Sequence, residues 1–247
     1  MFEFQTQLIF PTHAVSRAGA LPKGAERLSL KVGGDTLAGV HMPADPSGAG
    51  SPTLILGFAG NAWNAQDAAA YLHDLYPDED VVAFHYRGYT PSSGAPSAEA
   101  LMADAPLIYD FAVKRLEPKR VVAVGFSIGT GIAAHLARHR PLAGAILVTP
   151  FDSLKSVAQS MYPWLPIGQF FQHEIDAAAA LEKSQVPVAI VAAEHDELIP
   201  TLRTQALRKR TPNLAFDRTI SGAGHNDIYA RSDFHAAMRQ ALEAVTG

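Results

Sequence analysis

Residues 121–136 read VVAVGFSIGTGIAAHL, and this stretch decides the fold. It has the pattern of a short apolar strand, a G-x-S-x-G turn and a helix rich in small residues. A serine on such a sharp turn takes a strained backbone conformation, so the residues two before and two after it must lack side chains. The turn would project Oγ of Ser127 toward a general base, and the backbone N–H of Ile128 toward an oxyanion. Ser127 is therefore a candidate nucleophile, and Ile128 a candidate oxyanion-hole donor.

The same glycines allow a second interpretation. Residues 129–134 match the G-x-G-x-x-A fingerprint of dinucleotide-binding folds, and Asp152 follows near the expected offset of about 20 residues. In those folds the first glycine directly follows the strand, whereas residues 126–128 intervene here. A nucleotide-dependent oxidoreductase therefore remains an alternative to the serine nucleophile.

Short apolar runs alternate with helical segments along most of the chain. The expected strands are 53–57, 81–84, 121–125, 145–149 and 188–192. The expected helices, with apolar residues three and four apart, are 67–75, 98–115, 130–138 and 202–209. This alternation predicts an α/β fold whose mostly parallel sheet is covered by helices on both faces.

The first fifty residues have a different pattern. Residues 26–32 and 37–42 alternate in polarity across Gly33-Gly34-Asp35, which predicts a hairpin at an antiparallel edge of the sheet. Residues 43–52, rich in proline, glycine and alanine, are expected to be a surface connection. With no repeat or linker in the sequence, residues 1–247 are expected to form a single domain.

Composition excludes several classes of function. The 247 residues include 20 basic and 24 acidic side chains, for a net charge of −4, which argues against nucleic-acid binding. The absence of cysteine removes disulfides, thiolate metal sites and cysteine nucleophiles. The start, MFEFQTQLIFPTHAVSR, lacks the pattern of a secretory signal, and no apolar run approaches the ~20 residues of a membrane helix. We therefore expect a cytoplasmic protein with no integral membrane segment.

Candidates for the acid and the base follow the last two strands. Glu194, Asp196 and Glu197 crowd the loop after one strand, and His225 lies in the glycine-rich loop after the strand at 214–220. Such loops share the carboxyl edge of a parallel sheet with the serine turn, where sites form in open sheets. We assign His225 as general base and Asp196 as the acid that orients it.

Two further aspartates are alternatives for the acid. Asp152 also ends a strand, but we interpret it as the N-cap of a helix that begins near Ser153. Asp227 is too close in sequence to His225 to orient its ring.

Several motifs together resemble a known family. In order they are GNA at 60–62, YRGYTPSSGAPSAEALMADA at 86–105, GFSIG at 125–129, YPWLP at 162–166, HDELIP at 195–200 and GAGHND at 222–227. They are similar to the branch of the α/β-hydrolase superfamily that contains ABHD-type serine hydrolases, serine aminopeptidases, monoacylglycerol lipases and their bacterial relatives. The resemblance runs from about Leu8 to the last helix. It implies an α/β-hydrolase fold with antiparallel amino-terminal edge strands and a minimal cap at about 151–185.

The resemblance also implies site residues. Ser127, Asp196 and His225 take the positions of the catalytic triad, and the backbone N–H of Asn61 takes that of the second oxyanion-hole donor. The family pattern there is His-Gly-Asn-Ala, and this chain has Ala59 in place of the histidine. The main-chain donor is retained, but a side chain that could support the loop is lost.

Aromatic residues provide candidates for substrate binding. We assign Trp63, Tyr162 and Trp164 to this role, with prolines at 163 and 166 interrupting any continuous helix. The apolar side chains of the cap region are Met161, Tyr162, Trp164, Leu165, Phe170 and Phe171. They could line an apolar acyl pocket. Packing within the core is the alternative.

The expected activity is hydrolysis of a carboxylic ester or thioester, or of a small amide, through an acyl-enzyme on Ser127. The substrate would be a small acyl compound, and the reaction needs no metal and no organic cofactor. The alternative from another class is a binding protein that has kept the fold and lost turnover. The sequence gives no indication of oligomeric state.

Overall fold

A central sheet of eight strands organises the protein in a computed structural model that describes residues 2–45, 53–164, 168 and 170–247. The strands are β1 (Glu26–Val32), β2 (Asp35–Met42), β3 (Thr53–Phe58), β4 (Asp80–Phe84), β5 (Arg120–Phe126), β6 (Gly144–Val148), β7 (Val188–Ala193) and β8 (Leu214–Ile220). Their order in the sheet is β1-β2-β4-β3-β5-β6-β7-β8. The first two strands pair antiparallel, and β3 to β8 are parallel. Both the predicted hairpin edge and the predicted parallel sheet are confirmed.

Eight α-helices cover the sheet in the described part of the chain. They are α1 (Phe2–Ile9), α2 (Ala65–Leu75), α3 (Ala98–Leu116), α4 (Ile128–His139), α5 (Leu154–Met161), α6 (Ala177–Leu181), α7 (Thr201–Lys209) and α8 (Ser232–Thr246). Helices α2 and α8 pack in one apolar layer, and α3, α4 and α6 pack in the layer on the opposite face. Strands β3, β5, β6 and β7 are therefore covered on both sides, which explains their nearly continuous apolar sequences.

Helix α1 was not predicted from the sequence. Eight residues are too few to form a stable helix in water, so contacts outside the helix must hold it. Gln5 donates from Nε2 to the carbonyl oxygen of Phe170 at 2.9 Å, and Thr6 Oγ1 lies 2.8 Å from His173 Nε2. Phe10, which directly follows α1, is 2% exposed and packs edge-on against the ring of His173. These contacts join α1 to the segment after α5.

Membrane insertion was not expected from the sequence. Within residues 2–45, 53–164, 168 and 170–247, no helix combines the length and the apolar character needed to cross a bilayer. Part of the predicted surface connection, residues 46–52, lies outside the described residues.

Two arginine–aspartate pairs of α3 differ in burial. Arg87 donates from Nε and Nη2 to the two carboxylate oxygens of Asp104, at 2.8 and 2.5 Å, and Asp104 is 3% exposed. Arg140 makes the same two-point contact with Asp110, whose side chain is 51% exposed. The two pairs share this two-point contact and differ in access to water, and Arg87 also donates from Nη1 to Asp35 Oδ2 at 3.0 Å.

We expect Arg87→Ala to lower the free energy of unfolding by about 3 kcal/mol, because it leaves a buried carboxylate without its partner. Arg140→Ala should lower it by less than about 1 kcal/mol, since water screens that pair and solvates the remaining carboxylate. Equilibrium unfolding in urea measures both values. Equal losses in the two variants would contradict the role given to burial.

Candidate active site

Ser127 lies between β5 and α4 in a backbone conformation that few residues adopt, with φ 51° and ψ −116°. A residue other than glycine with positive φ is strained and persists only where its surroundings enforce it. Here the serine N–H donates to the carbonyl oxygen of Val148 at 2.9 Å. A side chain on Gly125 would collide with the backbone of Gly129, and one on Gly129 with the carbonyl oxygen of Phe58. Close packing therefore requires both glycines of the turn.

Asp196 and His225 are in direct contact. Nδ1 of His225 lies 2.9 Å from each carboxylate oxygen of Asp196, and both side chains are 5% exposed. A carboxylate only accepts hydrogen bonds, so Nδ1 carries the proton, and in the neutral ring Nε2 is free to accept one. The Asp196 carboxylate also accepts the backbone N–H groups of Leu198 and Ile199, at 3.0 and 2.7 Å. These contacts fix the carboxylate relative to the ring.

Other acidic residues near the histidine hold the backbone of its loop. Glu197 accepts the backbone N–H of His225 at 2.9 Å, and Asp227 accepts that of Gly224 at 2.8 Å. Glu194 accepts from Ser221 Oγ and from the N–H of Gly222. Among the candidate acids after β7, Asp196 is the one in contact with the imidazole.

The expectation that Asp152 caps a helix was wrong. The N-cap of α5 is Ser153, whose hydroxyl accepts the backbone N–H of Ser156 at 3.1 Å. Asp152 is 7% exposed and pairs with Arg203, at 3.4 Å between Oδ2 and Nη1. Burial raises the pKa of this carboxyl, and the nearby guanidinium opposes the shift. Aspartate and serine are both good N-cap residues. Asp152 pairs with Arg203 of α7, and the neighbouring Ser153 caps α5.

Ser127 opens into a cavity of about 300 Å³. Asn61 and Ile128, the two predicted oxyanion-hole donors, line the same cavity. The remaining wall is apolar except for the Tyr162 hydroxyl and consists of Leu8, Ile9, Phe151, Leu154, Val157, Ala158, Met161, Tyr162, Phe171, Leu198 and Ile199. The structure therefore brings the nucleophile candidate and both donor residues to one apolar cavity.

The three aromatic candidates for substrate binding lie in different environments. Tyr162 lines the cavity. Trp164 is 76% exposed and packs edge-on against Tyr162, outside the lining. Trp63 packs with Tyr71, Phe126 and Tyr229 in an aromatic cluster and does not line the cavity, so nothing in the structure supports its assignment to substrate binding. Leu165 and Pro166 lie outside the described residues.

Leu8 and Ile9 of α1 are among the wall residues that the sequence did not predict. Their own sequence gives little sign of this role, since they are simply apolar residues shortly before Pro11. The helix that presents them is held by contacts with Phe170 and His173, far away in the chain. Large exposed apolar side chains also surround the mouth of the cavity. Leu8, Met161, Tyr162 and Leu198 line it while remaining 37–56% exposed.

The dinucleotide interpretation is not supported by the packing of its glycines. A side chain on Gly131 would collide with Ile175, so this glycine serves the contact between α4 and a neighbouring segment. Gly129 faces the backbone of residues 58–59, and Asp152 is engaged by Arg203. In the described part of the chain, no group of three or more His, Asp or Glu side chains could hold a metal ion.

Comparisons with known proteins agree with this architecture. The family described as the alpha/beta hydrolase fold matches residues 54–180. An uncharacterized protein of Mycobacterium tuberculosis is 30% identical over 215 residues, which cover 86% of this chain and 76% of that protein. The lysophosphatidylserine lipase ABHD12 of Danio rerio is 32% identical over 140 residues, which cover 49% of this chain and 36% of the lipase.

A solved structure gives the same result for the fold. The structure of an esterase of Pyrococcus furiosus superposes with a TM-score of 0.74 at 14% identity, covering 94% of this chain and 97% of the esterase. Together with the sheet order and the strained serine turn, these matches identify the family. The chain belongs to the α/β-hydrolase fold family.

Proposed function

We propose that the protein is a serine hydrolase that cleaves a carboxylic ester or thioester of an apolar acyl group. One observation carries the proposal: the buried Asp196 carboxylate orients the His225 ring so that Nε2 can accept a proton. Ser127, the third member of the proposed triad, opens into the cavity that Asn61 and Ile128 also line. Two proposed oxyanion donors thus accompany the proposed nucleophile.

In the first half of the proposed reaction, Nε2 of His225 takes the hydroxyl proton as Oγ of Ser127 attacks the substrate carbonyl carbon. The resulting oxyanion accepts hydrogen bonds from the backbone N–H groups of Ile128 and Asn61. Collapse of this intermediate expels the alcohol or thiol, to which the imidazolium returns the proton. An acyl ester on Ser127 remains.

In the second half, water takes the place of the leaving group. Nε2 of His225 removes a proton from the water, which attacks the acyl carbonyl and passes through a second oxyanion. Loss of Oγ, which regains the proton, releases the carboxylic acid. Asp196 remains ionised throughout and stabilises the imidazolium in both halves.

The wall of the cavity supports an apolar acyl group as the part of the substrate that binds there. An apolar chain that enters loses contact with water, which favours binding in proportion to the area buried. The ABHD12 relative is named a lysophosphatidylserine lipase, which is consistent with an acyl ester substrate. Ester, thioester and amide substrates share the same carbonyl attack, so the substrate series must include all three.

The test is turnover of p-nitrophenyl esters of increasing acyl length, with matched acyl thioesters and anilides, beside labelling by a fluorophosphonate. We expect hydrolysis of an ester or thioester. We also expect covalent labelling by the fluorophosphonate, at a rate that the best substrate lowers because it competes for the same site. A folded protein that is neither labelled nor active on any of these compounds would refute the proposal. It would instead favour the alternative from the sequence, a binding protein without turnover.

Position 158 tests the acyl-binding role of the cavity. Ala158 of α5 lines it, whereas the next residue, Gln159, is exposed and outside the lining. We expect Ala158→Trp to lower kcat/KM for the preferred long-chain ester at least about tenfold, because the indole occupies space that the chain needs. The acetate ester, which needs less room, should change by less than about twofold.

Gln159→Trp is the matched control, since it adds the same side chain to the same helix on the solvent side. Its acyl-length profile should equal that of the parent protein. A uniform loss across the series in Ala158→Trp, or the same profile in both variants, would show that the acyl group binds elsewhere.

A further inference from the structure

The loop with the second proposed oxyanion donor lies directly over the serine turn. We call residues 59–61 the oxyanion loop; they follow β3. Gly60 faces the carbonyl oxygen of Phe126 and Cβ of Ser127, each within ordinary van der Waals distance of a side chain placed there. Ala59 offers only a methyl group, so the loop must be held by groups elsewhere in the chain.

The first such group is the hydroxyl of Tyr86, which donates to the carbonyl oxygen of Ala59 at 2.8 Å. Tyr86 follows β4, and β4 pairs in parallel with β3, so both residues emerge at the same edge of the sheet. Burial raises the pKa of this phenol well above its ordinary value, so the hydroxyl keeps its proton and remains a donor at neutral pH.

The second group comes from the amino-terminal helix. Nδ2 of Asn61 donates to the carbonyl oxygen of Ile9, the last residue of α1, at 3.2 Å. The contacts of Gln5 and Thr6 with residues 170 and 173 hold this helix in place. The side chain of Asn61 is thereby anchored, while within the described residues no backbone oxygen accepts its main-chain N–H.

We propose that Tyr86 is a positioning residue that aims the Asn61 N–H at the oxyanion, with the contact between Asn61 and Ile9 as the second anchor. The proposal rests on the proposed function. Only the two backbone dihedrals of Gly60 separate the peptide plane of the Ala59 carbonyl from that of the Asn61 N–H. Glycine restricts these dihedrals least of all residues, so direction must come from hydrogen bonds around it. The Gly60 carbonyl oxygen accepts the Trp63 N–H at 3.3 Å, and the two anchors act on either side of this peptide group.

The expected effect is smaller than loss of a donor. Removing an oxyanion-hole donor lowers kcat by about 10²–10³-fold. Removing one of two anchors leaves the donor present but less well directed, so we expect a decrease of about tenfold. The effect should fall on kcat, because the oxyanion exists in the transition state and not in the bound substrate.

Tyr89 provides a matched control for Tyr86. The two rings pack edge to face at 5.7 Å, and both are buried. The Tyr89 hydroxyl is also buried but has no hydrogen-bond partner among the described residues. Tyr86→Phe and Tyr89→Phe therefore make the same chemical change at neighbouring sites, and only the first removes a contact with the oxyanion loop.

The experiment measures kcat and KM of both variants on the best p-nitrophenyl ester, the pH profile of kcat/KM, and thermal unfolding. For Tyr86→Phe we expect kcat to fall about tenfold, KM to change by less than about twofold, and the apparent pKa to stay that of the parent. Tyr89→Phe should retain the parent kcat and KM. If Tyr86→Phe does not fold, Asn61→Ala tests the same proposal, because it removes the second anchor and leaves the main-chain donor.

The outcomes separate this inference from the function on which it rests. Suppose that the parent protein is active. The positioning role alone is then overturned if Tyr86→Phe keeps the parent kcat, or if kcat falls equally in both tyrosine variants. A parent protein inactive on every ester and thioester would overturn the proposed function, and this inference with it.

Discussion

Ser127→Ala is expected to lower kcat for the preferred ester by about 10⁴–10⁶-fold and to abolish labelling by a fluorophosphonate. The variant loses the only oxygen proposed to attack the carbonyl, so no acyl-enzyme can form. Alanine tolerates positive φ no better than serine, and the backbone strain of the turn is therefore unchanged. Mass spectrometry of the labelled parent should locate the adduct in the peptide that contains Ser127.

The control for this prediction is a serine near the histidine loop. Ser221 donates to Glu194 at 2.8 Å and does not line the cavity. Ser221→Ala should keep labelling and kcat within about threefold of the parent. Parent-like labelling in Ser127→Ala would assign the nucleophile to another residue.

Asp196→Asn is expected to lower kcat by about 10⁴-fold while preserving the fold. Asparagine can still accept the N–H groups of Leu198 and Ile199 through Oδ1, so the loop keeps its shape. The amide NH₂ then takes the place of Oδ2, 2.9 Å from Nδ1 of His225, and favours the tautomer in which that nitrogen is an acceptor. The proton moves to Nε2, which can no longer take one from Ser127.

Glu194→Gln is the comparison for Asp196→Asn. Glu194 lies in the same loop, but it accepts from Ser221 and Gly222 on an exposed surface. Steady-state kinetics should show less than about a threefold change in kcat for Glu194→Gln, and thermal unfolding should show both variants folded. Similar kinetic losses in the two would argue that the loop tolerates no change of charge, and against a specific role for Asp196.

The sequence predicted the features that local pattern determines. The apolar runs predicted β3 to β7, because strands buried on both faces need apolar side chains at successive positions. The glycines at 125 and 129 predicted the strained serine turn, because the steric requirement lies within five residues. Chain order and loop composition singled out Asp196 and His225, whose contact the geometry supports.

Features that depend on distant contacts were missed. Helix α1 is held by residues that lie at least 165 positions away in the chain, so its own sequence gives little indication of a helix. Trp63 is drawn into packing with Tyr71, Phe126 and Tyr229, which belong to three other elements or loops. The bond from Tyr86 to Ala59 joins two strand ends whose adjacency follows from sheet order alone. No local pattern encodes these contacts.

The origin of the cavity wall has a consequence for how related proteins diverge. The match to the family covers residues 54–180, whereas Leu8, Ile9, Leu198 and Ile199 of the wall lie outside it. Asp196 and His225 lie outside it as well, but Leu8 and Ile9 are far from both in sequence. Mutations at those two positions can reshape the cavity while Ser127, Asp196 and His225 stay unchanged. Selectivity and chemistry can therefore evolve separately, and two members with the same triad need not share a preferred substrate. Whether a relative catalyses the same reaction should be judged from the residues at its strand ends. Whether it prefers the same substrate should be judged from the helices and loops around them.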